Sequence, residues 1–158
     1  MRYEVFNDEL IMNNENYMSQ GHMQFIFQEA TGAAKENRIS LNDRLDPDLI
    51  DCSSEEGSLT LMFHTEPWMA NTGGTMHGGM IATFCDLTMG LLSRYYKRSQ
   101  SCVTVHLSVE YARSVSPEGD VMVKATMEKA GRNIYFTSAK AFRCTDNCVA
   151  ALATAEFM

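Results

Sequence analysis

A chain of 158 residues, 45% apolar and 21% charged, has the makeup of one soluble globular domain with a core of its own. Its formal net charge of -7 disfavours nucleic acid as a partner, and no apolar run approaches the length of a membrane span. Residues 1–10 (MRYEVFNDEL) lack the cationic start and apolar block of a secretion signal, so a cytoplasmic protein is expected.

The charge is uneven. Acids outnumber bases 13 to 4 over residues 1–66, and bases outnumber acids 9 to 6 over residues 67–148. An anionic small ligand would meet the second half more comfortably, although a solvated acidic face at the N-terminus explains the same asymmetry. The five cysteines (Cys52, Cys85, Cys102, Cys144, Cys148) have no framework spacing and are expected to be reduced. Cys144 and Cys148 have no second pair to complete four metal ligands, so neither a metal nor a cofactor is expected.

In chain order, Met23, Phe27, Ala30 and Ala34 make one helical stripe, which predicts a first helix over roughly Asn16–Asn37. Residues 38–58 are polar and rich in turn signals, with a short strand at Leu49–Cys52. Leu59, Leu61 and Phe63 alternate with polar positions as in a strand. A long helix is predicted from Gly79 to Lys97. Its stripes are Met80, Phe84, Leu87, Leu91 and Ile81, Cys85, Thr88, Leu92, and between Gly79 and Ser93 its only charge is Asp86. Alternation returns at Val103–Tyr111 and Val121–Met127, and Ile134–Arg143 with Cys148–Phe157 reads as a hairpin. Strands joined by short turns pair antiparallel, and one face of their sheet needs a cover. The 79–97 helix is the element apolar enough to supply it, which predicts an α+β fold, a curved antiparallel sheet wrapped around one central helix. A helix apolar on all sides against a sheet that touches one of them leaves surplus apolar surface, which predicts self-association.

The most informative stretch is Asn71–Tyr96, where a glycine-rich loop runs straight into that helix. A charge placed in an apolar helix costs several kcal/mol unless it is paired, so Asp86 either anchors a polar network, bonded to Thr83, Thr88 or a neighbouring strand, or serves chemistry. Gly78 and Gly79 at a helix N-terminus either expose backbone N–H groups where the partial positive charge of the helix end lies, a natural seat for an oxyanion, or only make a tight loop beside the sheet. His77 is either an N-terminal cap or a direct participant. His77 and Asp86, nine residues apart, fall about half a turn out of phase at about 100° per residue, so one straight helix cannot aim both at one point. A site shared between two copies removes that difficulty. No Gly-x-Ser-x-Gly elbow and no His-Glu-x-x-His motif is present, which disfavours serine and zinc hydrolysis.

The pattern Asn71-x5-His77-Gly78-Gly79 with Asp86 nine residues after the His, in a sheet-around-helix architecture, resembles the hotdog-fold acyl-CoA thioesterases. It is most similar to the PaaI-type branch, which includes the thioesterase-superfamily-member-2 proteins, and the similarity covers about residues 48–157. The resemblance implies hydrolysis of an acyl-CoA substrate, with Asp86 as general base or nucleophile and Gly78 N–H as oxyanion donor. It implies that Asn71 and Thr104 place the thioester and the attacking water, and that His77 shapes the loop. It implies substrate contacts at Gly79, Tyr111, Gly131, Arg132 and Asn133, and a homodimer or homotetramer with shared sites. Arg132 would meet a CoA phosphate or stand as an exposed turn cation. Met76, Met80 and Met89 would line a variable acyl pocket or fill the core. A non-catalytic acyl-CoA sensor and a hotdog dehydratase or hydratase are the competing functions. The first is disfavoured by the retained carboxylate, the second by the loop pattern.

Overall fold

The computed structural model describes residues 19–32, 41–99 and 101–158. In chain order they form α1 (Gln20–Gly32), α2 (Leu41–Leu45), β1 (Asp48–Ser53), β2 (Ser58–Phe63), a 3-10 turn (Pro67–Met69), α3 (Gly78–Lys97), β3 (Thr104–Tyr111), β4 (Val121–Ala130), β5 (Tyr135–Arg143) and β6 (Val149–Phe157). The strands make one six-stranded antiparallel sheet in the spatial order β1-β2-β4-β5-β6-β3. α3 separates β2 from β3, and β3 lands at the far edge of the sheet. Among the described residues no helix is long and apolar enough to cross a membrane.

The core lies between α3 and the inner face of the sheet. Leu59, Leu61 and Phe63 of β2 and Val121, Val123 and Ala125 of β4 are all fully buried. Phe63 stacks on Phe84 of α3, with ring centres 4.4 Å apart and planes 10° from parallel. Each such side chain contributes about 1.5–3 kcal/mol by leaving water. The middle of the sheet is lined with alanine: Ala125 pairs with Ala139, Ala139 with Ala153, and Ala141 with Ala151. Small side chains let the helix sit close to the strands. The approach is so tight that a Cβ on Gly90 of α3 would stand 3.3 Å from the Phe157 ring.

α3 differs from expectation in one respect: it is not enclosed on every side. The stripe Ile81, Cys85, Thr88, Leu92 is buried, whereas Met80, Leu87 and Asp86 are only half-buried. The sheet covers one side of the helix and leaves the other partly open, so the Asp86 carboxylate is not sealed within a single copy. α1 is observed at Gln20–Gly32, and residues 16–18 and 33–37 of its predicted span lie outside the described residues. The short helix α2, with Leu45 buried, occupies a stretch that reads as turns. Five residues are too few to display a helical period.

The two edges of the sheet differ. At β1 the side chain of Gln20 acts as an extra strand neighbour: its Nε2 donates to Cys52 O at 2.6 Å, and its Oε1 accepts from the Ser54 N–H at 2.7 Å. At the other edge, β3 has β6 as its one neighbour among the described residues. Its flanking and outer side chains stay exposed, with Val103 at 61%, Val105 at 57% and Tyr111 at 56%.

At the end of β2, the His64 ring lies between two carboxylates, Nε2 at 2.9 Å from Asp48 and Nδ1 at 3.1 Å from Asp120. Both contacts are hydrogen bonds only when the ring carries both protons. The bond to Asp48 is the largest cause that holds the His64 pKa above its ordinary 6.5. The clamp therefore stabilises the fold fully below pH 6.5 and loses its contribution as pH rises through the raised value. His64→Gln should lower the melting temperature by about 1–3 °C in acid, since all three groups are well exposed, and the gap to wild type should close on the alkaline side. A gap that is constant from pH 5.5 to 8.5 in thermal melts would exclude the clamp.

Candidate active site

Residues 70–77 form a closed loop that delivers the chain to α3. The Asn71 N–H donates to Thr75 O at 2.7 Å, and Ala70 bridges to Met76. The Asn71 side chain braces the interior: Oδ1 accepts from the Gly73 N–H at 2.8 Å and the Thr75 N–H at 3.3 Å, and Nδ2 donates to Thr75 Oγ1 at 2.9 Å. The loop is fixed at its end as well, because the Met76 N–H donates to Val115 O and the His77 N–H donates to Met69 O.

His77 is the N-cap of α3, with φ -65° and ψ 131°. Its Nδ1 accepts from the Gly79 N–H at 2.9 Å. A backbone N–H can only donate, so Nδ1 carries no proton and the neutral ring holds its proton on Nε2. His77 therefore presents a donor outward and cannot act as a base through Nδ1. Glycine at 79 permits this, since a Cβ there would stand 3.0 Å from Nδ1. Glycine at 78 serves Tyr111, whose ring passes 3.3 Å from where a Cβ would be and whose hydroxyl donates to Gly78 O at 2.9 Å. Burial, and then the neighbouring Cys85 sulfur, raises the Tyr111 pKa and keeps that hydroxyl protonated. The Gly78 N–H has no acceptor among the described residues. It is a fixed donor at the positive end of a twenty-residue helix.

Further along α3, Asp86 meets the start of β3: Thr104 Oγ1 donates to Asp86 Oδ1 at 2.8 Å. Thr83 and Thr88 instead donate back to their own helix, at Gly79 O and Phe84 O. The partner of Asp86 is thus the strand and not its helical neighbours. Cys85, beside it, is fully buried, and burial followed by the Asp86 charge pushes its thiol up to about 12, so it is no nucleophile. Between the start of α3 and the end of β3 lies a cavity of about 310 Å³, lined by Met76, Gly78, Ile81, Tyr111, the segment 112–115 and Ala150. Met76 belongs to this wall, whereas Met89 is core and Met80 packs against the core.

Comparison with known proteins fits this geometry. Residues 73–150, which carry His77, Gly78, Asp86, Thr104 and Tyr111, match the model of the thioesterase superfamily. The phenylacetic acid degradation-related protein of Ralstonia eutropha JMP134 superposes with a TM-score of 0.72 at 23% identity, over 84% of this chain and 97% of that one. Zebra fish thioesterase superfamily member 2 follows with a TM-score of 0.66 at 20% identity, over 86% and 94%. A Streptococcus mutans protein solved bound to acetyl CoA has a TM-score of 0.64 at 22% identity, over 79% and 94%. No curated protein matches by sequence. The fold is the hotdog fold, and the family that the chain resembles is the thioesterase superfamily.

Within this hotdog chain the expected site residues fall into two groups. Asn71, His77, Gly78, Gly79 and Tyr111 gather at the start of α3. Asp86 and Thr104 meet eight residues later, about 12 Å along the helix axis. The turn holding Gly131, Arg132 and Asn133 lies at the Thr104 end of the sheet, because Tyr135 pairs with Phe157 and Phe157 with Thr104. Gly131 has a backbone reason for its identity, since a Cβ would sit 2.4 Å from Ile134 O. Sequence reasoning missed the segment Ala112–Val115. Its one available signal is the cation Arg113, placed two residues beyond the strand that ends at Tyr111.

The capping bond has a measurable value. His77→Ala should cost about 1 kcal/mol in urea unfolding, and His77→Asn, a good N-cap, should restore most of it. Equal losses in both variants would show that the Nδ1 contact does not hold the helix end.

Proposed function

We propose that this chain is an acyl-CoA thioesterase, which converts a CoA thioester and water into a carboxylic acid and CoA, and that its site is shared by two copies. One observation carries the proposal: an oriented carboxylate and an unengaged helix N-terminal N–H lie at opposite ends of the same edge strand. Asp86 has one oxygen held by Thr104, which leaves the other for the reaction. Gly78 offers its N–H where the cavity begins.

The edge strand suggests how the halves meet. β1 is covered by α1, but β3 presents a row of backbone groups beside exposed Val103, Val105 and Tyr111. Such an edge seeks another strand. Antiparallel pairing of β3 with β3 of a second copy, with the two-fold axis at Leu107, sets Thr104 within one residue of the partner's Tyr111. Asp86 travels with Thr104, and Gly78 travels with Tyr111. Each pairing thus brings the carboxylate of one copy to the amide of the other, twice per dimer.

At such a site the Gly78 N–H donates to the thioester oxygen as its negative charge develops and is worth about 2.7–4 kcal/mol in the transition state. Asp86 takes a proton from water as it adds to the carbonyl carbon, or adds its own oxygen and forms a mixed anhydride that water then hydrolyses to the free acid and the restored carboxylate. In either route the carbon–sulfur bond breaks after the first addition, and the sulfur leaves as CoA thiolate and takes up a proton. Asn71 holds the loop in shape, and Thr104 fixes the rotamer of Asp86. The Nε2–H of His77 adds a second outward donor beside Gly78.

Asp86→Ala should lower kcat for CoA thioesters by about 10²–10⁴ while leaving the fold intact. Wild-type turnover in that variant, read with a thiol reagent, would remove Asp86 from the mechanism. Gly78→Pro deletes the N–H at a position where proline suits a helix, and His77 ahead of it already has the extended backbone proline requires. It should cost about 10²–10³ in kcat, with Tyr111 yielding a few tenths of an ångström. Each variant is inactive alone, yet co-expression should recover about a quarter of the wild-type rate, since half of the dimers then hold one intact site. Mixed dimers without activity would place both groups in one copy.

A further inference from the structure

The cavity that opens beside Gly78 is small, apolar and carries a single formal charge. About 310 Å³ is the low end of ligand pockets and holds roughly ten water-sized groups. Met76, Ile81, Val115 and Ala150 are among its apolar lining residues, no carboxylate lines it, and Arg113 is its one cation. Arg113 is exposed, and its backbone and one guanidinium nitrogen are held. The backbone around it is pinned to the start of β6, where the Ala112 and Arg113 N–H groups both donate to Ala150 O at 2.8 and 3.1 Å. Its own Nη1 donates to Val149 O at 3.0 Å. Among the described residues no carboxylate lies within ion-pair reach of it, in contrast to Arg143, which is paired with Asp146. Nε and Nη2 are left to a ligand.

We propose that Arg113 is a specificity-determining residue that selects acyl groups ending in a carboxylate. The inference rests on the thioesterase reading of the same site. If the thioester oxygen lies on the Gly78 N–H, the group that enters the cavity reaches Arg113 within the length of a short chain. The CoA arm is far longer than this cavity, and its phosphates lie at the remote end of that arm, so the acyl side of the thioester is the part that fits. Methylene groups pack against Met76, Ile81 and Val115, and the terminal carboxylate meets a guanidinium fork with two free donor positions. The excess of basic over acidic residues in 67–148 agrees with an anionic ligand on this half of the chain.

The test uses two CoA thioesters of equal chain length, glutaryl-CoA and pentanoyl-CoA, with wild type and Arg113→Gln. Wild type should favour glutaryl-CoA by about tenfold in kcat/KM, chiefly through KM, the size expected for a charge-assisted pair open to solvent on one side. Arg113→Gln should erase that preference and leave pentanoyl-CoA within about twofold of wild type. Equal losses on both substrates, the outcome if Arg113 served CoA phosphates or the fold, would overturn the proposal. So would a wild type without preference. If wild type cleaves neither substrate, hydrolysis of acyl groups of this length fails by itself, and calorimetric titration of the two uncleaved thioesters still decides the role of Arg113. A tenfold tighter Kd for glutaryl-CoA that vanishes in Arg113→Gln would uphold it, and equal Kd values would reject it.

Discussion

The seating of one helix on one face of a sheet is the constraint from which the rest of the molecule follows. α3 descends between β2 and β3 onto strands whose middle rows are alanine, and Gly90 lets it close onto Phe157. That contact buries Phe84, Cys85, Thr88 and Leu92 and aligns the helix axis over the sheet. It also fixes what stays open. At the helix start Gly78 is half-buried, and its amide has no acceptor among the described residues. Asp86, only half-buried, stays within reach of solvent while it is held by Thr104 at the start of β3.

The polar features of the site are consequences of capping a helix that cannot be capped by its own turns. His77 closes one of the free amides, Tyr111 reinforces the carbonyl of Gly78, and the Asn71 loop holds both in place. One amide is left over, at Gly78, and a helix end concentrates partial positive charge on it. Glycines at 78 and 79 have contact reasons: a Cβ at each would press on a specific ring, Tyr111 and His77 respectively. These bonds hold the helix start in place without a ligand, as the proposed stabilisation of a developing oxyanion demands.

Separation of the two polar groups is equally a product of packing. Eight helical residues put Asp86 about 12 Å from the helix start, and β3 spans the gap on the sheet side with Thr104 at one end and Tyr111 at the other. No rotamer change closes such a distance. The open edge of β3 contrasts with the guarded edge of β1, where Gln20 occupies the backbone groups. The chain thus protects one edge from pairing and leaves available the edge that carries both halves of the proposed site.

Much of this was legible in the sequence, because period and punctuation are local properties. Alternation located the strands, the run after His77 located α3, and the hairpin at 135–157 was set by its turn. The isolation of Asp86 in an apolar helix marked it, and its phase against His77 already excluded one straight face. Three things were decided only by tertiary structure. Which side of α3 is covered depends on the sheet, so a helix apolar all round turned out half-open at Met80, Leu87 and Asp86. The partner of Asp86 depends on β3 arriving beside it from eighteen residues away, and no local pattern ranks Thr104 above Thr83 or Thr88. The cavity wall at Ala112–Val115 arises where the segment after β3 crosses the start of α3, a meeting of distant residues that leaves no period in either segment.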